Sequence, residues 1–546
     1  MRAMLEPMHS THIVSGAIPA ILLATAVTGS AAAATLSVGP GKADPTPCAA
    51  IGAARDGDTV EIEGGMTYKG DACKVARNGL TIRGVHGRPH IDAAGKNAAD
   101  KGIWLVTAND VVVDNVEMSG AKVMDGNGAA LRLEGTNFTL RNSFLHDNEN
   151  GILANRNENS DVLIEHTEFG HNGRGDGQTH NLYIGKVKSL TFRHNYSHDA
   201  NVGHDLKSRA MTNTIVYNRF ASTDPDEGGS TAWGQPSYEI DLPNAGTSYV
   251  IGNVIQQPAF NQNPTIVAYG EEGATNPRQD LYFVNNTVIN DFIDGTFLFV
   301  SGKVSTPALV QNNVFVGKGT LSSQSTSVLK NNYRVFGDDA VDRTTGRLRR
   351  FASALVVGAA TDPGTAASGE PLVPAGRDRN GAADGEHAVA GAPNVGAWQG
   401  PGAAARTKRV TWTECADEGT VCRFRGTREV RFGSDGLYTS TIAAGATPCT
   451  SAAFGDPAHG RAKTCSYADV TVAMPAALPK AAATGRWTLC AREDAVCHLS
   501  GTNRVRYGTA TAYVTKVLTG PVTCSNAVFG DPARGFVKIC RFRPGR

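Results

Sequence analysis

The chain has 546 residues, too many for one ordinary domain, so two to four units are expected. A formal charge of +1 with 19% charged residues excludes bulk electrostatic recruitment to nucleic acid or to anionic membranes. Its 62 glycines favour many tight turns over long helices.

The chain opens on "MRAMLEPMHSTHIVSGAIPAILLATAVTGSAAAATL", with an apolar run from about Ala17 to Val27 and a small-residue stretch ending near Ala34. Such a run is too short to span a bilayer and has the character of a secretory signal, so residues 1–34 are expected to be removed. No other stretch could cross a membrane. Ten cysteines, an even number, stand at 48, 73, 415, 422, 449, 465, 490, 497, 524 and 540. No CxxC pair with a nearby ligating His accompanies them, which favours disulfides over zinc. A secreted, extracellular or periplasmic location follows, with no membrane attachment after cleavage.

From residue 35 to about 402 the chain is built from short β-rich phrases. "VVVDNVEM" (Asn115), "FTLRNSFL" (Asn142), "LTFRHNYS" (Asn195), "TIVYNRF" (Asn218), "YVIGNVI" (Asn253), "YFVNNTVI" (Asn286) and "LVQNNVFV" (Asn313) each carry an Asn followed within one or two positions by an apolar or aromatic residue. His166 in "VLIEHTEF" takes the same place once. The spacing of 23 to 35 residues, with alternating apolar positions, fits strands. One such repeat cannot bury its own apolar face and must stack on its neighbours. Propeller blades need about 40 or more residues and four strands. The phrases are too short for that, so the expected fold is all-β, a right-handed parallel β-helix.

Two further phrases carry a family resemblance. "CAAIGAARDGDTVEIEGGMTYKGDACKVARNGLTIRGVHGRPHIDAAG" (48–95) resembles the opening rung of secreted pectate-lyase-like β-helix proteins, and "PNVGAWQ" (393–399) is similar to the phrase that often closes them. The resemblance covers about residues 35–400. It implies the fold more sharply than the reaction, because that family includes lyases, hydrolases, epimerases and non-catalytic binding proteins. Cys48 and Cys73 bracket the opening rung and are expected to staple it.

The C-terminal part is duplicated. "WTECADEGTVCRFRGTREVRFG" (412–433) matches "WTLCAREDAVCHLSGTNRVRYG" (487–508), and "CTSAAFGDPAHGRAKTC" (449–465) matches "CSNAVFGDPARGFVKIC" (524–540), all at an offset of 75. Two tandem small disulfide-bonded β modules, 406–472 and 481–546, are expected, joined by "AMPAALPKAAATG". Four cysteines per copy allow three pairings. Trp412, Trp487, Phe432 and Tyr507 could stack on sugar faces or fill the module cores.

The functional signal lies in "HNLYIGKVKSLTFRHNYSHDANVGHDLKSR" (180–209), where His-Asn-Leu-Tyr and His-Asp-Leu-Lys recur 24 residues apart. In a β-helix, residues one rung apart lie roughly 4.8 Å from each other. Aligning "GILANR", "HNLYIG", "HDLKSR", "YEIDLP" and "TIVAYGEE" points Leu182, Ile184, Leu206, Ile240 and Leu242 inward. Tyr183, Lys207 and Asp241 then form one outward column, beside His180, His204 and Tyr238 in another. Arg209, Glu239, Tyr269 and Glu271 fall within a rung or two.

This cluster suits β-elimination on an acidic, uronate-containing polysaccharide. The reaction needs a cation on the uronate, a base for the C5 proton and an acid for the leaving O4. Lys or Tyr can take either proton role if neighbouring positive charge lowers its pKa, and Arg suits a carboxylate clamp. Lys207, Tyr183, His180, His204 and Arg209 are the catalytic candidates, with Lys207 as base. Tyr238, Glu239, Asp241, Tyr269 and Glu271 are the substrate-binding candidates. Glu239, Asp241, Glu271 and Glu272 could hold a Ca²⁺.

"HDLKSRAMTNTIVYNRF" also resembles the lysine-bearing rung of alginate-lyase and chondroitinase-B-like lyases, in which the Lys is a base and an Arg on the next rung its partner. Here the next rung has no Arg at the matching place, and Arg209 lies in the lysine's own rung. The alternatives are a glycoside hydrolase using the same carboxylates and a non-catalytic glycan-binding or adhesion protein. A monomer acting on a polysaccharide, without nucleic acid, is expected.

Overall fold

The computed structural model describes most of the chain. Residues 1–31, 223–235, 376–392, 398–409 and 472–486 lie outside the described part, as do short stretches near 260, 293, 337–357, 510, 535 and the C-terminus. The expected signal segment and the inter-module linker fall almost wholly there. Among the described residues no helix is long and apolar enough to cross a membrane.

Strands recur in threes, and each pairs in parallel with the strand one rung away. The result is three long sheets coiled around a common core, two of 12 and 10 strands and a third that reaches 15 by taking in four strands of the first C-terminal module. In the 12-stranded sheet the register links Ile82 to Val113, Val113 to Leu140, Leu140 to Ile164 and Ile164 to Phe192. It continues through Ile215 and Val250 to Phe283. All eight are fully buried. Each contributes about 1.5–3 kcal/mol of apolar burial, realised only because a neighbouring rung covers it.

Polar ladders run inside the same coil. The Asn195 amide donates to Asn218 at 3.2 Å, and Asn218 donates to Asn253 at 3.0 Å. Asn253, Asn286 and Asn313 continue the chain to Asn332 at 3.0–3.1 Å. Asn115, Asn142 and His166, expected in this column, sit one residue earlier. They occupy the left-handed corner (φ 56°, 54° and 50°), and the ladder positions of those rungs are Val116, Ser143 and Thr167. Asn serves both places, because it tolerates positive φ and also carries a donor and an acceptor. A second ladder runs Asn148, Asn172, Asn181 and Asp205.

Both ends of the stack are covered. At the start, helix Pro47–Ala53 is capped by Thr46, buries Ala50 and Ile51, and is tied by the Cys48–Cys73 disulfide. At the far end, strand Leu437–Pro448 of the first C-terminal module pairs in parallel with Asn332–Val335, the last strand of its sheet. Tyr333 and Ser440 join across that seam at 3.1 Å. This module therefore continues a sheet that would otherwise end on an open edge.

The modules use the pairings Cys415–Cys422, Cys449–Cys465, Cys490–Cys497 and Cys524–Cys540. Phe432 and Tyr507 are core residues, not sugar-stacking ones. The Trp487 ring is flanked by Arg506 and Arg543, and Arg431 covers Trp412.

Candidate functional site

The site rests on the 10-stranded sheet, over Leu182–Ile184, His204–Ser208, Tyr238–Leu242 and Thr265–Tyr269. Tyr183 is in register with Lys207, and Lys207 with Asp241. His204 is in register with Tyr238. His180, His204 and Tyr238 form a ring stack, with centroids 4.6 Å and 5.0 Å apart. The two expected columns therefore lie side by side.

Facing outward does not leave these groups open to solvent. Lys207 is 8% exposed, His180 4%, and Asp241 fully covered. The cover includes the turn after Thr265–Tyr269, which brings Glu272 back over the lysine. Lys207 Nζ lies 3.0 Å from Asp241 and 2.7 Å from Glu272. Glu272 also pairs with Arg209, whose Nε donates to Tyr183 Oη at 2.7 Å and whose Nη1 donates to Asn244 at 2.6 Å. Glu272 thus bridges the two cations. Glu272 was expected only as one of the acidic residues able to hold Ca²⁺, and nothing marked Asn244.

Electrostatics set the resting protonation. Burial pushes the Asp241 carboxyl up to about 7, against the pull of Lys207. Burial also works against the Lys207 ammonium, but Asp241 and Glu272 outweigh it and hold the lysine above its ordinary value. The expected lowering by positive neighbours is absent, because carboxylates flank this lysine. Burial, helped by the charge of Lys207, pushes His180 down to about 3, and His204 is held well below its usual range. Both imidazoles are neutral. His180 Nδ1 accepts from the His204 backbone N–H at 3.0 Å, which leaves Nε2 as the protonated nitrogen.

Two expected substrate residues point the wrong way for that role. Tyr269 is in register with inward-facing Leu242, is fully buried, and donates to the Gly246 carbonyl at 2.6 Å. Glu239 is also fully buried and lies against Asp205. Strict alternation would place both carboxyls outward. The strands begin at a corner, however, where Asp205 turns in to extend the second ladder and Glu239 follows one rung on. Burial raises both, Asp205 to about 7 and Glu239 well above its usual range, with the Asp205 carboxyl further disfavouring the charge of Glu239.

The acidic group near the lysine is therefore Asp241, Glu271 and Glu272, with one oxygen of each within 4.8 Å of the others. Glu239 is not part of it. Lys207 Nζ already contacts two of the three, so a Ca²⁺ here would have to displace the ammonium. The same cover limits hydrolase chemistry, since Asp241 has no exposed surface.

Beside this cluster opens a groove of about 640 Å³ lined by Arg132, Arg156, Lys186 and Arg209, with Tyr183, Leu153 and Asn155 on its floor and walls. Two of its four cations, Arg132 and Arg156, come from rungs at which no site residue was expected.

The family model described as "NosD: Periplasmic copper-binding protein (NosD)" matches residues 48–260. A solved structure titled "Crystal structure of pectate lyase Pel9A" aligns at 15% identity and a TM-score of 0.46, covering 67% of this chain and 96% of that one. Another, "Structure of PL6 family alginate lyase AlyGC", aligns at 14% identity and a TM-score of 0.30, covering 59% of this chain and 56% of that one. The three-sheet coil is a parallel β-helix. At these levels of similarity the reaction rests on the site alone.

Proposed function

We propose that the protein is a polysaccharide lyase that cleaves a uronate-containing polymer by β-elimination at Tyr183 and Lys207. The observation that carries this reading is the Arg209–Tyr183–Lys207 cluster at the end of a groove lined by four cations. A cationic groove suits a polymer bearing one carboxylate per sugar, and Arg209 suits the carboxylate at the reacting residue.

The proton roles follow from the resting charges. Lys207, held as an ammonium, is the acid that protonates O4 as the C4–O4 bond breaks. Tyr183 acts as the base in its phenolate form, its own proton having passed to solvent before substrate reacts; the Arg209 N–H on its oxygen stabilises that anion, which takes the C5 proton. The electron pair of the C5–H bond becomes the C4=C5 double bond of the product. His180 and His204, neutral and stacked, position the strand starts. A panel of acidic polysaccharides, read by ultraviolet absorbance of the unsaturated uronate, tests the proposal. New reducing ends without that absorbance would indicate hydrolysis, and no product on any polymer would indicate binding alone.

A further inference from the structure

A second constellation lies on the 15-stranded sheet, away from the lysine. His90, Glu117 and His146 come from His90–Asp92, Glu117–Ser119 and Phe144–His146. These are three successive rungs of one sheet, with His90 in register with Glu117. Three donor atoms, one from each residue, lie within 4.8 Å of one another. His146 Nε2 is 3.2 Å from Glu117 Oε1, and His90 Nδ1 is 3.9 Å from the same oxygen. The outer nitrogen of each ring is held elsewhere. His146 Nδ1 bonds Asp147 at 2.6 Å, and His90 Nε2 bonds Ser119 Oγ at 2.8 Å.

That is the arrangement of a metal-binding histidine, in which a partner on one nitrogen fixes the ring and aims the other at the ion. We propose that His90 Nδ1, His146 Nε2 and the Glu117 carboxylate form a site for a divalent transition ion of the Zn²⁺ class. Two imidazoles and one carboxylate select such an ion over Ca²⁺ or Mg²⁺, which take oxygen ligands. On binding, the ion replaces the proton between His146 Nε2 and Glu117. The three side chains are 17–30% exposed, so an ion can reach them from solvent.

The fold supplies an internal control two rungs further on. His198 repeats His146 in detail, with Nδ1 2.6 Å from Asp199 and Nε2 3.2 Å from Glu168. The residue in register with Glu168 on the preceding rung is Phe144, where the first unit has His90. Among the described residues the other imidazole grouped with His198 is that of His171, which lies with it and Asp199 and not with Glu168. The first unit differs in having an imidazole in register with the carboxylate that His146 contacts.

The test uses the full chain, free of any affinity tag and stripped by a chelator, titrated with Zn²⁺ by calorimetry and with Co²⁺ by visible absorption. One Zn²⁺ per chain should bind. His90→Phe, which installs the residue of the second unit, and Glu117→Gln should each weaken binding about tenfold or more and remove the Co²⁺ bands. His198→Asn should bind within about twofold of the parent. Circular dichroism melts establish that the variants are folded. Absence of a stoichiometric ion in the parent, undiminished affinity in folded His90→Phe, or an equal loss in His198→Asn would overturn the assignment.

Discussion

Replacing Lys207 separates the chemistry of the site from its contribution to the fold. The ammonium lies 3.0 Å from an Asp241 carboxyl that has no exposed surface. At an effective dielectric constant near 20 that contact is worth about 5.5 kcal/mol of gross attraction, much of it offset by desolvation. Truncating one side of such a pair costs about 3–5 kcal/mol. Asp241 titrates near neutrality and can take up a proton when left alone, so about 3 kcal/mol is expected for Lys207→Met. Lys207→Met/Asp241→Asn removes both charges and should recover to within about 1 kcal/mol of the parent. Neither variant should turn over, because both lack the acid, with losses of about 10³-fold or more. Denaturant unfolding gives the stabilities, and absorbance of the unsaturated product gives the rates. A folded double variant with turnover near the parent's would refute the role of Lys207. A single variant as stable as the parent would refute the electrostatic account of its burial.

Three further outcomes follow from other parts of the molecule. Burial lowers His198, but its bonds to Asp199 and Glu168 prevail and place it at about 9, above its unfolded 6.5. The stability it supplies, about 3 kcal/mol, is complete below pH ~6.5 and lost as pH rises through 9, so thermal melts should fall from pH 7 to 9 and the fall should flatten in His198→Asn. Asn253→Ala strands the Ile215 carbonyl and the Asn218 amide inside the coil and should cost about 3 kcal/mol in denaturant unfolding. A chain ending after residue 402 should stay active on soluble substrate but melt below one ending after 472, by about 2–4 °C for each kcal/mol lost with the edge strand Leu437–Pro448.

The fold was legible because a β-helix repeats its constraints on every rung. Alternating apolar residues between corner asparagines leave few other ways to bury Val113, Leu140 and Phe192 together. The columns through Tyr183, Lys207 and Asp241 followed from the same period. What the sequence hid lies where that period breaks. Asn115 and Asn195 look alike in the chain but occupy adjacent positions of the corner, since one residue type satisfies both. Asp205 and Glu239 turn inward at a strand start, where alternation no longer applies. Glu272 reaches Lys207 from a turn two rungs away, and its arrival decides the lysine's charge. Arg132, Arg156 and Lys186 read as separate surface cations until the coil sets them around one groove. The docking of the first C-terminal module is a backbone pairing and leaves no side-chain pattern to read.

The most direct test of the lyase reading is the ultraviolet spectrum of products formed from acidic polysaccharides by the parent protein, with folded Lys207→Met/Asp241→Asn and Tyr183→Phe alongside. The account predicts unsaturated uronate from at least one carboxylated polymer with the parent and none with either variant. Cleavage without unsaturation, or an unsaturated product that persists in both variants, would contradict it.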